Sequence, residues 1–328
     1  MKIAYRMGTR EDLPVITGFL DKREYFPGYA GDESPGVVRP VIAQSFRDNL
    51  GIFDDPRRHP VFVAEDRDGG GIAGYMVLVN GVEESITGDM QTVIYDFFVR
   101  VPELRDEIMD RFLAFTLEAS RMSGHRFVTT ELRPNDRENE DYFASRGFHV
   151  EMNRIVKRVG RYTFDTPRQR QFAVRPAGEM DRDFILLLNA ENSPFLIPTG
   201  RECDTLSIRA SYFDTYTNMK LKGNPNLLVL IGEDVNAQRH AGYIMVKTEA
   251  RDLVTGKLLA YLYDISVHKD YWGTFLGQRL VREAENRLAE RDVEYFVGDT
   301  AENNPRPLRT ALKTLQFRLF SRRWVRVR

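Results

Sequence analysis

Residues 263–282 read YDISVHKDYWGTFLGQRLVR. An alternating run ends at Val267, a short turn carries Gly273, and Leu276, Leu280, Ala284 and Leu288 then recur every four residues. That pattern predicts a strand, a tight turn and a helix with one apolar face. The stretch has an echo earlier in the chain: Tyr95-Asp96-Phe97-Phe98-Val99 stands where Tyr263-Asp264-Ile265-Ser266-Val267 stands later.

The echo extends outward in one register. Ala4-Tyr5-Arg6 returns as Ala173-Val174-Arg175, and Ala73-Gly74-Tyr75-Met76 as Ala241-Gly242-Tyr243-Ile244. Phe127-Val128 returns as Phe296-Val297, Asn135 as Asn304 and Phe148 as Phe317. Every offset is 168 or 169. Chance similarity would not hold one register over a whole chain, so the sequence reads as two copies of one domain of roughly 150–160 residues. The expected boundaries are 1–157 and 171–328, with residues 158–170 as the junction. Tyr162 and Phe164 alternate with polar residues there, which allows a short strand.

Each copy has the same predicted order. A short strand (3–7; 172–176) precedes a helix whose start in the first copy is marked by Thr9-x-x-Asp12, a helix-capping spacing. A hairpin follows, then a strand ending at Val99 or Val267, a helix (108–120; 276–290), a strand (126–131; 295–299), a short helix and a last strand. This is the α/β (α+β) class: in each copy a mixed, mostly antiparallel twisted sheet with helices on both faces.

The chain has 328 residues, net charge −1, 42% hydrophobic and 29% charged residues. That is an ordinary globular mixture, and no net field draws it to nucleic acid or to a membrane. No apolar run approaches the ~18 residues of a membrane span, and the N-terminus lacks the apolar core of a signal peptide. The single cysteine, Cys203, excludes an internal disulfide framework and fits a cytoplasmic location. The scattered histidines give no metal-ligand spacing, so no metal is expected. The basic C-terminus, RLFSRRWVRVR, alternates at Val325 and Val327 and reads as a closing strand. The glycines at 69–71 form a hairpin tip and have no helix after them.

The turn at 268–278 has the chemistry of an anion site, because the first N–H groups of a helix lack partners and lie at the positive end of its dipole. Gly273 and Gly277 could serve close ligand approach or only packing. The segment Val267-His268-Lys269-Asp270-Tyr271-Trp272-Gly273-Thr274-Phe275-Leu276-Gly277 resembles the acetyl-CoA motif V-x-P-x-[YF]-[RQ]-G-x-G-x-[GA] of the GCN5-related N-acetyltransferases, the GNAT family. With the repeat, the chain is identified as resembling a tandem, two-domain GNAT. The resemblance implies an N-acetyltransferase that uses acetyl-CoA. It implies that Ser266 and Val267 pair with the pantetheine arm through their backbone. The amides of Trp272, Gly273, Thr274, Phe275, Leu276, Gly277 and Gln278 would hold the pyrophosphate, and Asn304 the pantetheine or phosphate side. Phe317 would close the motif. The sequence departs from the pattern at Trp272 and Phe275, and also at Leu312, where the family usually has the tyrosine that protonates the departing thiolate, and at Gln316.

The equivalent turn of the first copy has no glycine and carries Asp106, Glu107 and Asp110. Three carboxylates would repel a diphosphate. The first copy is therefore expected to bind no acetyl-CoA, and to be structural or to form one wall of the acceptor site.

Transfer to an amine requires loss of its proton. Two catalytic candidates follow. On a regular strand Asp264 and Ser266 share one face, and Tyr261, Tyr263 and Ile265 the other. Whichever face lines the cleft supplies the base, Asp264 or Tyr263. Retention of the aspartate as Asp96 in the first copy favours a role in the fold. The acceptor, a small amine, is expected at residues 189–223, where 207–219 has a helical pattern with Arg209, Tyr212 and Tyr216. No nucleic-acid or membrane partner is expected, and the protein would be a monomer or homodimer. The competing reading is a non-catalytic acyl-CoA sensor or scaffold.

Overall fold

The computed structural model describes residues 2–19, 55–164, 170–203, 223–252 and 255–328, with 40, 41, 44, 166, 214, 217 and 218 as isolated positions. The helix expected over 207–219 lies almost wholly outside the described residues. In chain order the elements of the first half are β1 (Ile3–Met7), α1 (Leu13–Phe19), β2 (Val61–Asp66), β3 (Ile72–Glu83), β4 (Met90–Val99), α2 (Arg105–Met122), β5 (Phe127–Leu132), α3 (Arg137–Ser145) and β6 (His149–Arg158). The second half repeats them as β7 (Phe172–Pro176), α4 (Arg182–Asn192), β8 (Leu227–Asp234), β9 (Arg239–Arg251), β10 (Leu258–Val267), α5 (Leu276–Ala289), β11 (Tyr295–Ala301), α6 (Pro305–Thr314) and β12 (Arg318–Val327).

Two compact units result, and they are not the two halves of the sequence. One comprises Met1–Glu151 with Ser321–Arg328, the other Met152–Phe320. In the first unit the strand order is β1-β2-β3-β4-β5-β12. β12 runs antiparallel to β5 from Arg322↔Leu132 to Val327↔Phe127. In the second unit the order is β7-β8-β9-β10-β11, completed by residues 152–158 of β6, antiparallel to β11 from Ala301↔Met152 to Tyr295↔Arg158. Each unit thus ends its sheet with a strand drawn from the other half of the sequence.

In each unit one parallel pair stands among antiparallel ones. β10 pairs with β11 from Leu259↔Tyr295 to Leu262↔Gly298, and β4 with β5 from Gln91↔Phe127 to Ile94↔Thr130. β10 then continues to Val267 along β9 and β11 to Ala301 along β6, with no further pairing to each other among the described residues. A wedge opens between the two strands.

In the second unit α5 buries Leu276, Leu280, Ala284 and Leu288 on one sheet face with Leu230, Ile244, Phe296 and Phe317. The helical periodicity read from the sequence is this face. α4 covers the opposite face with Ile185 and Leu188 against Val229, Ile231, Tyr243 and Met245. The first unit repeats both layers. Thr9 and Asp12 form the expected cap, with the Thr9 amide donating to Asp12 Oδ2 at 2.7 Å. No strand forms at Tyr162 and Phe164. Instead the Tyr162 amide donates to Asn286 Oδ1 at 2.8 Å, and Asn286 Nδ2 donates back to the Tyr162 carbonyl at 3.0 Å. A side-chain amide supplies both backbone partners that a strand would have needed.

Beside this junction Lys157 Nζ lies 2.9 Å from Glu285 Oε1 and donates to the Leu315 carbonyl at 2.8 Å. Both side chains are buried. A buried charge pair of this kind persists only when its remaining hydrogen-bonding groups are also satisfied. The Tyr162 hydroxyl, 2.8 Å from the ammonium, and the Gly160 amide, 3.0 Å from Glu285 Oε1, do this.

Candidate functional site

The second unit brings the end of β10, the 268–275 turn and the start of α5 together at the wedge. A bulge in β10 sets the side chains. The pairing with β9 runs Leu262↔Val246 and then Asp264↔Met245, so Tyr263 is the extra residue. A bulge places two consecutive side chains on one face. Leu262, Ile265 and Val267 pack toward the α5 core, while Tyr263 packs with the α4 layer. Asp264 reaches that same layer and accepts from Tyr243 Oη at 2.5 Å and Asn189 Nδ2 at 2.6 Å. The strict alternation expected for Tyr263 and Asp264 therefore does not hold: both lie on the α4 side. The first unit carries the same bulge, its register passing from Val77↔Asp96 to Leu78↔Ile94.

Asp264 is 3% exposed and Tyr243 fully buried. Burial, and after it the Asp264 carboxylate, pushes the Tyr243 phenol well above the ordinary tyrosine range. The phenol is therefore a permanent donor at neutral pH. In the first unit Tyr75 Oη donates to Asp96 Oδ2 at 2.7 Å, again buried.

After Val267 a 3₁₀ turn (Lys269–Tyr271) leads to Gly273, whose φ of +80° disfavours any side chain. Thr274 Oγ1 donates to the Tyr271 carbonyl at 2.6 Å and accepts from the Leu276 amide at 3.3 Å. The Arg279 amide reaches the Phe275 carbonyl. Among the described residues the amides of Gly277 and Gln278 are left without acceptors, as helix geometry requires of a first turn. The Phe275 ring lies beside Arg282, 5.5 Å from its guanidinium, on the helix itself.

The glycines separate packing from ligand approach. A Cβ on Gly242 would stand 2.7 Å from the Ser266 carbonyl, and one on Gly74 2.9 Å from the Phe98 carbonyl, so these two exist for strand packing. A Cβ on Gly277 would meet nothing nearer than Val267 Cγ2 at 3.9 Å. Glycine inside a helix costs about 1 kcal/mol relative to alanine, and the packing of this chain gives no reason for it. The open face at Gly277 and the two free amides fit a phosphate-bearing group.

Asn304 stands at the N-terminal boundary of α6 without a side-chain capping bond, and donates from Nδ2 to the Phe195 carbonyl at 3.2 Å. Phe317 is buried against Phe296, and Leu312 is 37% exposed on α6. Sequence reasoning missed several neighbours. Phe195 packs edge-on against Trp272. Tyr261 Oη donates to Asp299 at 2.7 Å, where Arg154 also donates through Nε and Nη2. A cavity of about 240 Å³ borders His268, Arg239, His240, Glu191 and the apolar side of α4. These contacts join residues far apart in sequence and left no local signal. Among the described residues no cluster fits a metal ion, and no helix is long and apolar enough to cross a membrane.

The first unit's turn differs. Asp106 and Glu107 lie in the first turn of α2. Asp110 lies a turn further and is taken up by Arg146 at 2.5 Å and Tyr142 at 3.0 Å, which corrects the expected cluster of three carboxylates. The Arg146 guanidinium holds the Asp110 carboxyl below its ordinary range. Arg105 ties the helix start to Asn139 and Glu138 of α3, and Phe97 packs on Phe143.

The wedge after the parallel pair thus has a glycine-bearing helix start beside it. Residues 188–317 match the family model described as acetyltransferase (GNAT) family. The matched segment lies within the second unit, which therefore carries a GNAT acetyltransferase domain. A GCN5-related N-acetyltransferase from Sphaerobacter thermophilus is similar in structure at 14% identity, over 98% of this chain and 94% of that one, with a TM-score of 0.56. A GCN5-related glucosamine N-acetyltransferase region of a fungal multi-domain GH3 β-N-acetylglucosaminidase is similar at 15% identity, over 99% of this chain and 38% of that one, with a TM-score of 0.58. At such identities the likeness is one of fold. No curated protein matches the sequence.

Proposed function

We propose that this protein is an acetyl-CoA-dependent N-acetyltransferase with one cofactor site, in the second unit, and a small amine as acceptor. The observation that carries the reading is Gly277: it leaves an open helix start with two free amides beside the end of β10, where the pairing with β11 has stopped. Gly277, Gln278 and the turn before them would hold the pyrophosphate, and the Val267 backbone the pantetheine arm; the Ser266 backbone, opposite Tyr243, faces β9 and would contribute only by placing Val267. Acetyl-CoA, when bound, supplies an acetyl thioester. Asp264 acts as a positioning group: with Tyr243 and Asn189 it holds the bulge that turns Tyr263 to the α4 side. Tyr263 is then the remaining candidate for contact with the acceptor. In the first unit Arg105, Asp106, Glu107 and the Phe97–Phe143 contact occupy the corresponding position, so that unit serves the fold.

One observation favours a second reading, acyl-CoA binding without transfer. Leu312 offers no proton to a departing thiolate. The two readings separate in a thiol-release assay over a panel of amino sugars, polyamines and amino acids, with wild type and Gly277→Glu. Release with an amine, lost in the variant, supports transfer. Release with none of them, by protein that binds acetyl-CoA, favours the second reading.

A further inference from the structure

The Val267 carbonyl points into the wedge. The amide of His268 donates to the Ala241 carbonyl at 2.9 Å, so position 268 is hydrogen-bonded to β9. Its neighbour Val267, opposite Gly242, must then turn its N–H and C=O away from β9, toward the gap beside β11. A chain laid in that gap would need this carbonyl as an acceptor. It is already engaged: Trp272 Nε1 donates to it at 2.8 Å.

The indole is one part of a bridge across the wedge. Phe195, from the 3₁₀ turn after α4, meets it edge-on with ring centroids 6.0 Å apart at 77°. The Phe195 carbonyl is held by Asn304 from beyond β11. The Asn303 amide donates to Thr199 Oγ1 at 3.2 Å, a second tie between the same segments. The Arg306 guanidinium lies 5.8 Å from the indole centroid. Yet Trp272 is 47% and Phe195 46% exposed. Two large aromatic rings so exposed are held by few contacts and can rotate away quickly.

We propose that Trp272 and Phe195 control access of the acyl donor: in the closed state the indole occupies the Val267 carbonyl, and binding of the pantetheine arm displaces it. This rests on the cofactor reading above. The apparent affinity is then lowered by the fraction of molecules that are closed. Removing Phe195 loosens the indole, and replacing Trp272 by phenylalanine removes its hydrogen bond.

The test uses coenzyme A, calorimetry and tryptophan emission. The chain has two tryptophans, and Trp324 is buried in the first unit's core. Trp324→Phe leaves Trp272 as sole emitter. If that variant folds poorly, acrylamide quenching of wild type reads the exposed indole instead. The expected result is a change in Trp272 emission or quenching with the calorimetric midpoint, and association about fivefold faster in Phe195→Ala. Calorimetric binding with unchanged Trp272 signal and equal rates would overturn the access role and leave the cofactor reading standing. Binding by Phe195→Ala but not by wild type would support both. Absence of binding by wild type, Phe195→Ala and Trp272→Phe would overturn both.

Discussion

Tyr243 and Asp264 are joined by a 2.5 Å hydrogen bond between buried side chains, and Tyr75 and Asp96 repeat the bond at 2.7 Å in the first unit. A pair present at both bulges, including the one beside an acidic turn, acts first on the fold. Asp264→Ala should cost about 1–3 kcal/mol of stability, and Asp96→Ala a similar amount, because each leaves a buried phenol without its acceptor. Denaturant titration of both variants checks this. Asp264→Asn that folds normally but loses the acid limb of the pH–rate profile would instead make Asp264 the base.

The same pair predicts an alkaline effect. The folded-state pKa of Tyr243 is raised, so its contribution is fully present below the unfolded tyrosine value of about 10 and is lost as pH rises through the folded value. Stability should be flat in this term through neutrality and fall in strong alkali. Tyr243→Phe should lower stability at neutral pH and flatten the alkaline fall, read by thermal unfolding across pH.

Truncation after Phe320 should unfold the N-terminal half of the sequence. Residues 321–328 carry the strand paired with β5, Trp324 in the first core, and Arg323, which is ion-paired with Glu84 at 3.0 Å and Glu151 at 2.5 Å. Trp324→Ala alone should cost about 3–5 kcal/mol. Hydrogen exchange should show lost protection in 61–132, with 227–301 less affected.

Lys157→Met should destabilise the second unit by about 3–5 kcal/mol, since Glu285 would remain buried without its ammonium. The double variant Lys157→Met with Glu285→Met should recover part of that loss, as a denaturation cycle over the four proteins would read.

The two glycines of the turn should part company. Gly273→Ala forces a side chain onto φ +80° and should destabilise by about 1 kcal/mol. Gly277→Ala meets no clash and should stabilise α5 by about 0.8–1 kcal/mol while weakening coenzyme A binding. Thermal unfolding and calorimetry on the same samples test both halves of the statement.

Much of this architecture was legible from local pattern. The repeat register made β4 the equivalent of β10 and α2 that of α5, and the four-residue spacing of Leu276, Leu280, Ala284 and Leu288 named the buried face of a helix. What stayed hidden depends on distant pairing. The bulge at Tyr263 shows only in the register with β9, so alternation alone sent Tyr263 and Asp264 to opposite faces. The exchange of β6 and β12 leaves no trace in either strand's composition, since any apolar-alternating strand fits either sheet. Trp272 reads as a motif substitution until Phe195 and the Val267 carbonyl are beside it.

The most direct measurement is an acetyl-CoA titration by calorimetry on wild type and Gly277→Glu. One site per chain, abolished by the substitution in a folded variant, is the predicted result. No binding by folded wild type, two sites per chain, or binding untouched by Gly277→Glu would contradict the account.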